Sequence, residues 1–385
     1  MRFEFATATR ILFGEGVVQE VAPAARELGT RALVVTGRSG ERSRALRSDL
    51  AGAGIASHTF SVDGEPTLEG IQLGVETAGT KHCDLVIGFG GGSALDAGKA
   101  IAALLTNRGD LLNYLEVIGR GQPLRVPAAP FIAVPTTAGT GTEVTRNAVL
   151  ASDAQRVKVS LRSPLMLPRL AVVDPELTLD LPPDVTARTG LDALTQLIEP
   201  YVSNRANPIT DGFCVEGLAR AGRALRRAYH DGRDRAARAD MSVASLLGGL
   251  ALANAGLGVV HGFAGPVGGM FPAPHGAVCA ALLPHGIKMN IRALRSRHSG
   301  GETLLRYETV ARLLTGRPQA RAEDAVEWTR EICGELQIPS LRAYGVGDAD
   351  WPVLVEKAAR ASSMKGNPIA LTPDELREVL MGACG

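Results

Sequence analysis

The chain changes its hydrophobic pattern once, near residue 180. Before that point, short runs that are apolar at almost every position (Arg31–Thr36, Asp84–Gly88 and Phe131–Val134) alternate with polar stretches of helical spacing such as Glu41–Ala53. A run apolar throughout predicts a strand buried on both faces. Such strands, separated by helices, predict a parallel sheet covered on both sides. Arg2–Phe5 and Arg10–Phe13 alternate instead and predict a pair of edge strands. Past Asp174-Pro175 and Leu181–Pro183 nearly every run has helical spacing, beginning with Thr186–Glu199, and no segment reads as a strand. The pattern predicts an α/β domain with a parallel sheet over residues 1–180 and an all-helical domain over residues 181–385.

Within the helical half, the 47 residues between Asp240 and Lys288 contain no Asp, Glu, Lys or Arg, yet His261, His275 and His285 lie there. So neutral a stretch has to be buried. Val243–Val260 approaches the roughly 20 apolar residues of a membrane span. Gly248, Gly249, Asn254, Gly256 and Gly258 interrupt it, however, and Pro266, Pro272, Pro274 and Pro284 follow. Several short core helices fit that punctuation better than one span. Met1–Ala6 lacks the basic start and apolar core of a signal peptide, so neither export nor a membrane partner is expected.

Buried imidazoles need partners. Asp192, inside the apolar helical run Thr186–Glu199, supplies a candidate. One carboxylate and two imidazoles from separate buried elements are what a catalytic divalent metal requires. The competing reading is a set of core histidines hydrogen-bonded to Asp192 and Gln196.

Charge narrows the partners. With 41 basic against 40 acidic residues and no basic block, nucleic acid and anionic membrane surfaces are not expected. Aromatic residues make up only 4%, too few for base-stacking platforms. Five scattered cysteines without a Cys-x-x-Cys pair read as reduced thiols of a cytoplasmic protein.

The strand at Asp84 runs into Gly88–Ser93, where Gly91, Gly92 and Ser93 lead into a helix carrying Asp96 and Lys99. Glycines permit a tight turn and let backbone N–H groups approach a phosphate at the positive end of a helix. Ser93 stands where the usual dinucleotide fingerprint has its third glycine, and the turn follows a later strand than the first, so a plain strand-to-helix connection is the alternative. A second loop, Pro135–Glu143, carries Thr136, Thr137 and Thr140 after another strand, at the end of a parallel sheet where ligands bind. Two such loops favour a nucleotide.

Taken together, Gly90–Lys99, Pro135–Thr145, Thr189–Leu194, Ala206–Asp211, Asn254–Gly258 with His261, and Pro274–Gly276 resemble the iron-containing (group III) alcohol dehydrogenase family across essentially the whole chain. The resemblance implies a dehydroquinate synthase-like fold, a nicotinamide cofactor, and Fe²⁺ or Zn²⁺ held by the helical domain. It implies hydride transfer between nicotinamide C4 and a small alcohol, aldehyde or ketone, in a homodimer or larger homo-oligomer. Cofactor contacts are implied at Gly37, Gly91, Gly92, Ser93, Asp96, Thr136, Thr137, Thr140 and Lys158. Asp192, His261 and His275 are implied as metal ligands and catalytic residues.

Three positions depart from the family pattern. Gln196 occupies the place of a further histidine ligand, four residues after Asp192 and on the same helix face. Its amide oxygen is a weak ligand beside imidazole, so reduced metal affinity is expected. Gly265 replaces a histidine found in many members four residues after the ligand at 261, leaving proton transfer to water, a ribose hydroxyl or His285. Gly37 replaces the aspartate that in NAD-selective members binds the ribose 2′-hydroxyl. With Arg38, Arg42 and Arg44 nearby, NADP is expected to be accepted or preferred. The alternatives are a metal-free enzyme similar to maleylacetate reductases, a non-catalytic nucleotide-binding protein, and a lyase of the dehydroquinate-synthase type. The absence of Lys and Arg over 241–287 argues against the lyase.

Overall fold

The computed structural model describes residues 2–297 and 301–385. Two compact units emerge: Phe5–Thr137 with Gly141–Thr178, and Leu179–Gly385 with Ala138–Thr140 and residues 2–4.

The first unit is built on β1 (Ile11–Phe13), β2 (Arg31–Gly37), β3 (Ala56–Val62), β4 (Leu85–Gly90), β5 (Phe131–Pro135), β6 (Asn147–Ser152), β7 (Val157–Arg162) and β8 (Leu170–Val173). Six strands form an all-parallel sheet in the order β1-β8-β5-β4-β2-β3, while β6 and β7 make a separate antiparallel pair. Helices α1 (Val21–Leu28), α2 (Arg44–Gly52), α3 (Leu68–Thr80) and α4 (Gly92–Thr106) cover it. The continuous apolar runs explain the layering. In β2, Leu33 and Val35 join the cluster holding Ile71 and Ile101, and Ala32 and Val34 join the one holding Val21, Leu46 and Leu50. Each face therefore buries alternate side chains under its own pair of helices.

Two local expectations need correction. Residues 2–7 form no strand, and β1 pairs in parallel with β8 rather than with an N-terminal neighbour. The glycine run is not an extended loop either. β4 continues through Gly88 to Gly90, and α4 starts at Gly92, leaving Gly91 alone as the turn. Close approach dictates this, because a Cβ on Gly90 would lie 2.7 Å from that of Ala94. β3 adds an edge strand that no apolar run marks, because Ala-Ser-His-Thr-Phe-Ser-Val has the polar composition of a strand at a sheet edge.

The second unit is helical: α5 (Pro183–Val202), α6 (Pro208–His230), α7 (Arg235–Ala255), α8 (Val259–Met270), α9 (His275–Arg297), α10 (Glu302–Thr315), α11 (Ala322–Glu335), α12 (Trp351–Arg360) and α13 (Pro373–Cys384). Sequence signals set their starts. Asn207 accepts from the backbone of Ile209 and Thr210, its own N–H donates to Thr210 Oγ1, and Pro208 occupies the first helical position of α6. By length and composition α7 is apolar enough to cross a membrane, but 61% of its apolar window is buried inside the fold, as in the core helix of a globular unit.

Candidate active site

Three helices bring four donor atoms together. Asp192 lies mid-way along α5, His261 in the first turn of α8, and His275 and Cys279 one turn apart at the start of α9. His261 Nε2 is 3.4 Å and His275 Nε2 3.8 Å from Asp192 Oδ1. Cys279 Sγ is 3.7 Å from each of the same two nitrogens. The four atoms all lie within 4.8 Å of one another and can hold a metal ion. Asp192, His261 and Cys279 are buried, and the His275 side chain keeps 33% of its surface exposed.

Close helix contact makes this geometry. A Cβ on Gly276 would stand 2.3 Å from the Arg188 carbonyl and 3.4 Å from Asp192 Cβ, so only glycine lets the start of α9 lie against α5. Glu199, two helical turns beyond Asp192, anchors α8. Its Oε1 accepts the Val260 N–H at 2.7 Å, and its Oε2 accepts from His261 Nδ1 at 2.7 Å. A carboxylate at a helix N-terminus is favoured by the local dipole, and here it also sets the histidine tautomer. With Nδ1 protonated toward Glu199, Nε2 is the nitrogen that faces the cluster, and a cation bound there would take the place of its proton.

The donor set fits a divalent cation. Asp192 Oδ1 and Gln196 Oε1 are both buried without a hydrogen-bond partner, a costly arrangement that an ion would relieve. Electrostatics agree. Burial opposes ionisation of Asp192, but His275 and His261 outweigh it and hold its carboxyl below the ordinary range. Burial likewise opposes the His261 imidazolium, yet Cys279, Asp192 and Glu199 hold its pKa well above the ordinary value. His275 is raised in the same way, against burial, by Cys279 and Asp192. The cluster favours positive charge at its centre.

Neither Glu199 nor Cys279 was singled out from the sequence. Glu199 had a usable signal in its seven-residue spacing from Asp192, which places both carboxylates on one face of α5. For Cys279 the signal was its four-residue offset from His275.

The expected cofactor residues fall in four places. Gly37, Gly91, Thr136 and Thr137 gather at the carboxyl ends of β2, β4 and β5. The Thr136 N–H donates to the Gly90 carbonyl, a Cβ on Gly91 would touch the Thr137 side chain at 3.4 Å, and one on Gly90 would lie 3.5 Å from the Gly37 nitrogen. Gly92 and Ser93 open α4, whose N-terminus has no side-chain cap. Thr140 belongs to the short segment grouped with the helical unit. Asp96 and Lys158 are tied up in packing. Asp96 accepts from Thr142 Oγ1 at 2.5 Å and from the Val149 N–H at 3.1 Å. Lys158 pairs with Glu65 at 2.9 Å. Lys99, fully buried, donates to the Thr142 carbonyl and to the Thr142 and Thr145 hydroxyls, pinning the turn that follows β5.

His285 is removed from this chemistry. It follows His275 by ten residues along α9, roughly 15 Å at the helical rise. It lines a separate cavity of about 440 Å³ with Lys288, Arg330 and Trp351. Of the larger apolar side chains on and around α8 and α9, Val259, Val260, Phe263 and Leu282 are core, at most 1% exposed, whereas Phe271 is partly accessible.

The iron-containing alcohol dehydrogenase family model matches residues 8–175, and the family's C-terminal model matches residues 186–384. The chain belongs to the iron-containing alcohol dehydrogenase family. Among its relatives, alcohol dehydrogenase 4 of Schizosaccharomyces pombe is 35% identical over 381 residues, covering 97% of this chain and 87% of that protein. The crystal structure of a 1,3-propanediol oxidoreductase superposes with a TM-score of 0.90 at 32% identity, covering 100% of both chains. The sulfoacetaldehyde reductase of Bifidobacterium kashiwanohense, solved in complex with NAD+, superposes at 0.86 with 26% identity, covering 100% of this chain and 99% of that one. Members of this family are oxidoreductases acting on CH–OH groups, which disfavours the lyase and metal-free alternatives.

Proposed function

We propose that this family member is a metal-dependent, NAD(P)-linked alcohol dehydrogenase that interconverts small alcohols with their aldehydes or ketones. The convergence of the Asp192, His261 and His275 donor atoms around one point, with Asp192 Oδ1 left without a hydrogen bond, carries the reading. A divalent cation bound there supplies Lewis acidity toward the substrate oxygen, and a bound nicotinamide supplies or accepts the hydride.

The chain's own residues do the rest. Asp192 contributes negative charge and the two histidines contribute neutral nitrogen, with Glu199 fixing the His261 ring so that Nε2 is the coordinating atom. His275, the partly exposed member, faces the accessible side of the cluster. The uncapped N–H groups at Gly92 and Ser93 suit the cofactor pyrophosphate, and the Thr136 and Thr137 hydroxyls beside Gly91 offer further donors. Gly37 presents no carboxylate against a 2′-phosphate, so NADP is accepted alongside NAD.

The test is a screen of NAD(P)H oxidation with short aldehydes, joined to metal analysis of the purified protein. His261→Ala and His275→Ala should abolish turnover while nicotinamide fluorescence still reports cofactor binding. Wild-type activity in either variant, or turnover untouched by chelation, overturns the proposal.

A further inference from the structure

We propose that Cys279 is the fourth protein ligand, supplying the donor that Gln196 supplies poorly, and that the resulting Asp-His-His-Cys set selects zinc over iron. This assignment rests on the metal-dependent reading above.

Cys279 follows His275 by one helical turn on α9, so both project from one helix face. The distances then discriminate. A tetrahedral cation with bonds of about 2.0–2.1 Å to nitrogen and oxygen and about 2.3 Å to sulfur separates its donors by roughly 3.4–3.6 Å. The four measured separations, 3.4 and 3.8 Å to Asp192 Oδ1 and 3.7 Å twice to Cys279 Sγ, follow the edges of such a polyhedron. The two separations to oxygen are long for N–H···O hydrogen bonds, while 3.7 Å is an ordinary length for a hydrogen bond to sulfur. Two observations from different chemistry thus meet at one point: a fully buried sulfur equidistant from two imidazole nitrogens, and a buried carboxylate oxygen without a hydrogen bond.

Ligand chemistry sets the metal. An amide oxygen at Gln196 is a weak donor, whereas a thiolate is soft and strongly favours zinc-type over iron-type selection within an imidazole set. Charge points the same way. Asp192 and a Cys279 thiolate together neutralise a dication, where one carboxylate with three imidazoles would leave a net positive charge. Binding exchanges the sulfur-bound proton for the cation, with the proton released to solvent.

Cobalt substitution reads the assignment directly, because thiolate ligation produces a near-ultraviolet sulfur-to-cobalt charge-transfer band that nitrogen and oxygen ligands lack. The wild-type protein, expressed with iron and zinc equally available, should contain one zinc per chain, and its cobalt form should show the band. Cys279→Ala should lose the band and more than about a hundredfold in zinc affinity, beyond the roughly 10–100-fold typical of an outer-sphere change. Gln196→Ala should keep both. Metal bound without the band, iron in place of zinc, or unchanged zinc affinity in Cys279→Ala overturns the assignment and leaves the metal-dependent reading standing. A wild-type protein that binds neither zinc, iron nor cobalt overturns that reading, and this assignment with it. Should Cys279→Ala fail to fold, the wild-type cobalt spectrum decides alone.

Discussion

The Glu199 carboxylate holds His261 by ring and by backbone: Oε2 stands 2.7 Å from His261 Nδ1 while Oε1 accepts the N–H of the preceding Val260. One side chain therefore fixes the tautomer of a ligand and the start of the helix that carries it. Glu199→Gln keeps an acceptor and the side-chain volume but removes the charge. It should weaken metal affinity by about 10–100-fold while the fold persists. Chelator competition measures the first and circular dichroism the second. Unchanged affinity would reduce Glu199 to a helix cap.

Two glycines of the same region should respond in opposite directions to alanine. At Gly276 the added methyl meets the Arg188 carbonyl at 2.3 Å, so α9 has to move off α5. Gly276→Ala should cost about 1–3 kcal/mol in denaturant unfolding and reduce metal content, since His275 and Cys279 move with the helix. At Gly265, within α8, an added Cβ meets nothing within 4 Å. Gly265→Ala should gain up to about 1 kcal/mol from helix propensity alone. Equal effects at the two positions would mean that packing at the start of α9 does not govern the cluster.

Legibility in the sequence followed the strength of the pattern. β2, β4 and β5 were readable because burial on both faces makes them apolar at every position. The helical half was readable because its periodicity is unbroken after Leu181. β3 and the β6–β7 pair were not, since edge and hairpin strands alternate and carry polar residues. At the cluster, Asp192, His261 and His275 stood out as polar groups in apolar runs. Glu199 did not, because its seven-residue spacing from Asp192 places it on a shared helix face without showing the contact with α8 that makes it matter. Cys279 was hidden for a different reason: a cysteine in an apolar stretch passes as an ordinary core residue.

Cofactor preference turns on the end of β2. Arg38 is tied to Asp63 at 2.7 Å, Arg44 to Glu41, and Arg42 donates to the Leu177 carbonyl at 2.5 Å. The Arg38–Asp63 pair is exposed, with side chains 82% and 64% accessible, and so is worth little. Arg38 can therefore exchange Asp63 for a phosphate, while the Asp63 carboxylate repels one. Asp63→Asn should raise kcat/KM for NADPH relative to NADH several-fold, and Arg38→Ala should lower it. A wild-type preference for NADH of about a hundredfold, unmoved by Asp63→Asn, would exclude this end of β2 as a 2′-phosphate site.

His285 offers a pH signature independent of the metal. Burial, with Arg330 and Lys288 adding positive charge nearby, lowers its pKa to about 4, against 6.5 for a free histidine. The folded state thus holds a neutral ring where the unfolded chain takes up a proton. The unfolded state binds more protons between these two values, so stability must rise with pH across that window. The contribution is fully present above about pH 6.5 and is lost as pH falls toward about 4. Its size should be about 1–2 kcal/mol once the ring's partial exposure is allowed for. Comparing denaturant midpoints of wild type and His285→Gln at pH 7 and pH 5 isolates it: the wild type should lose more stability than the variant on acidification. Parallel losses would mean that the ring is protonated in the folded protein, with solvent or a carboxylate reaching the cavity it lines.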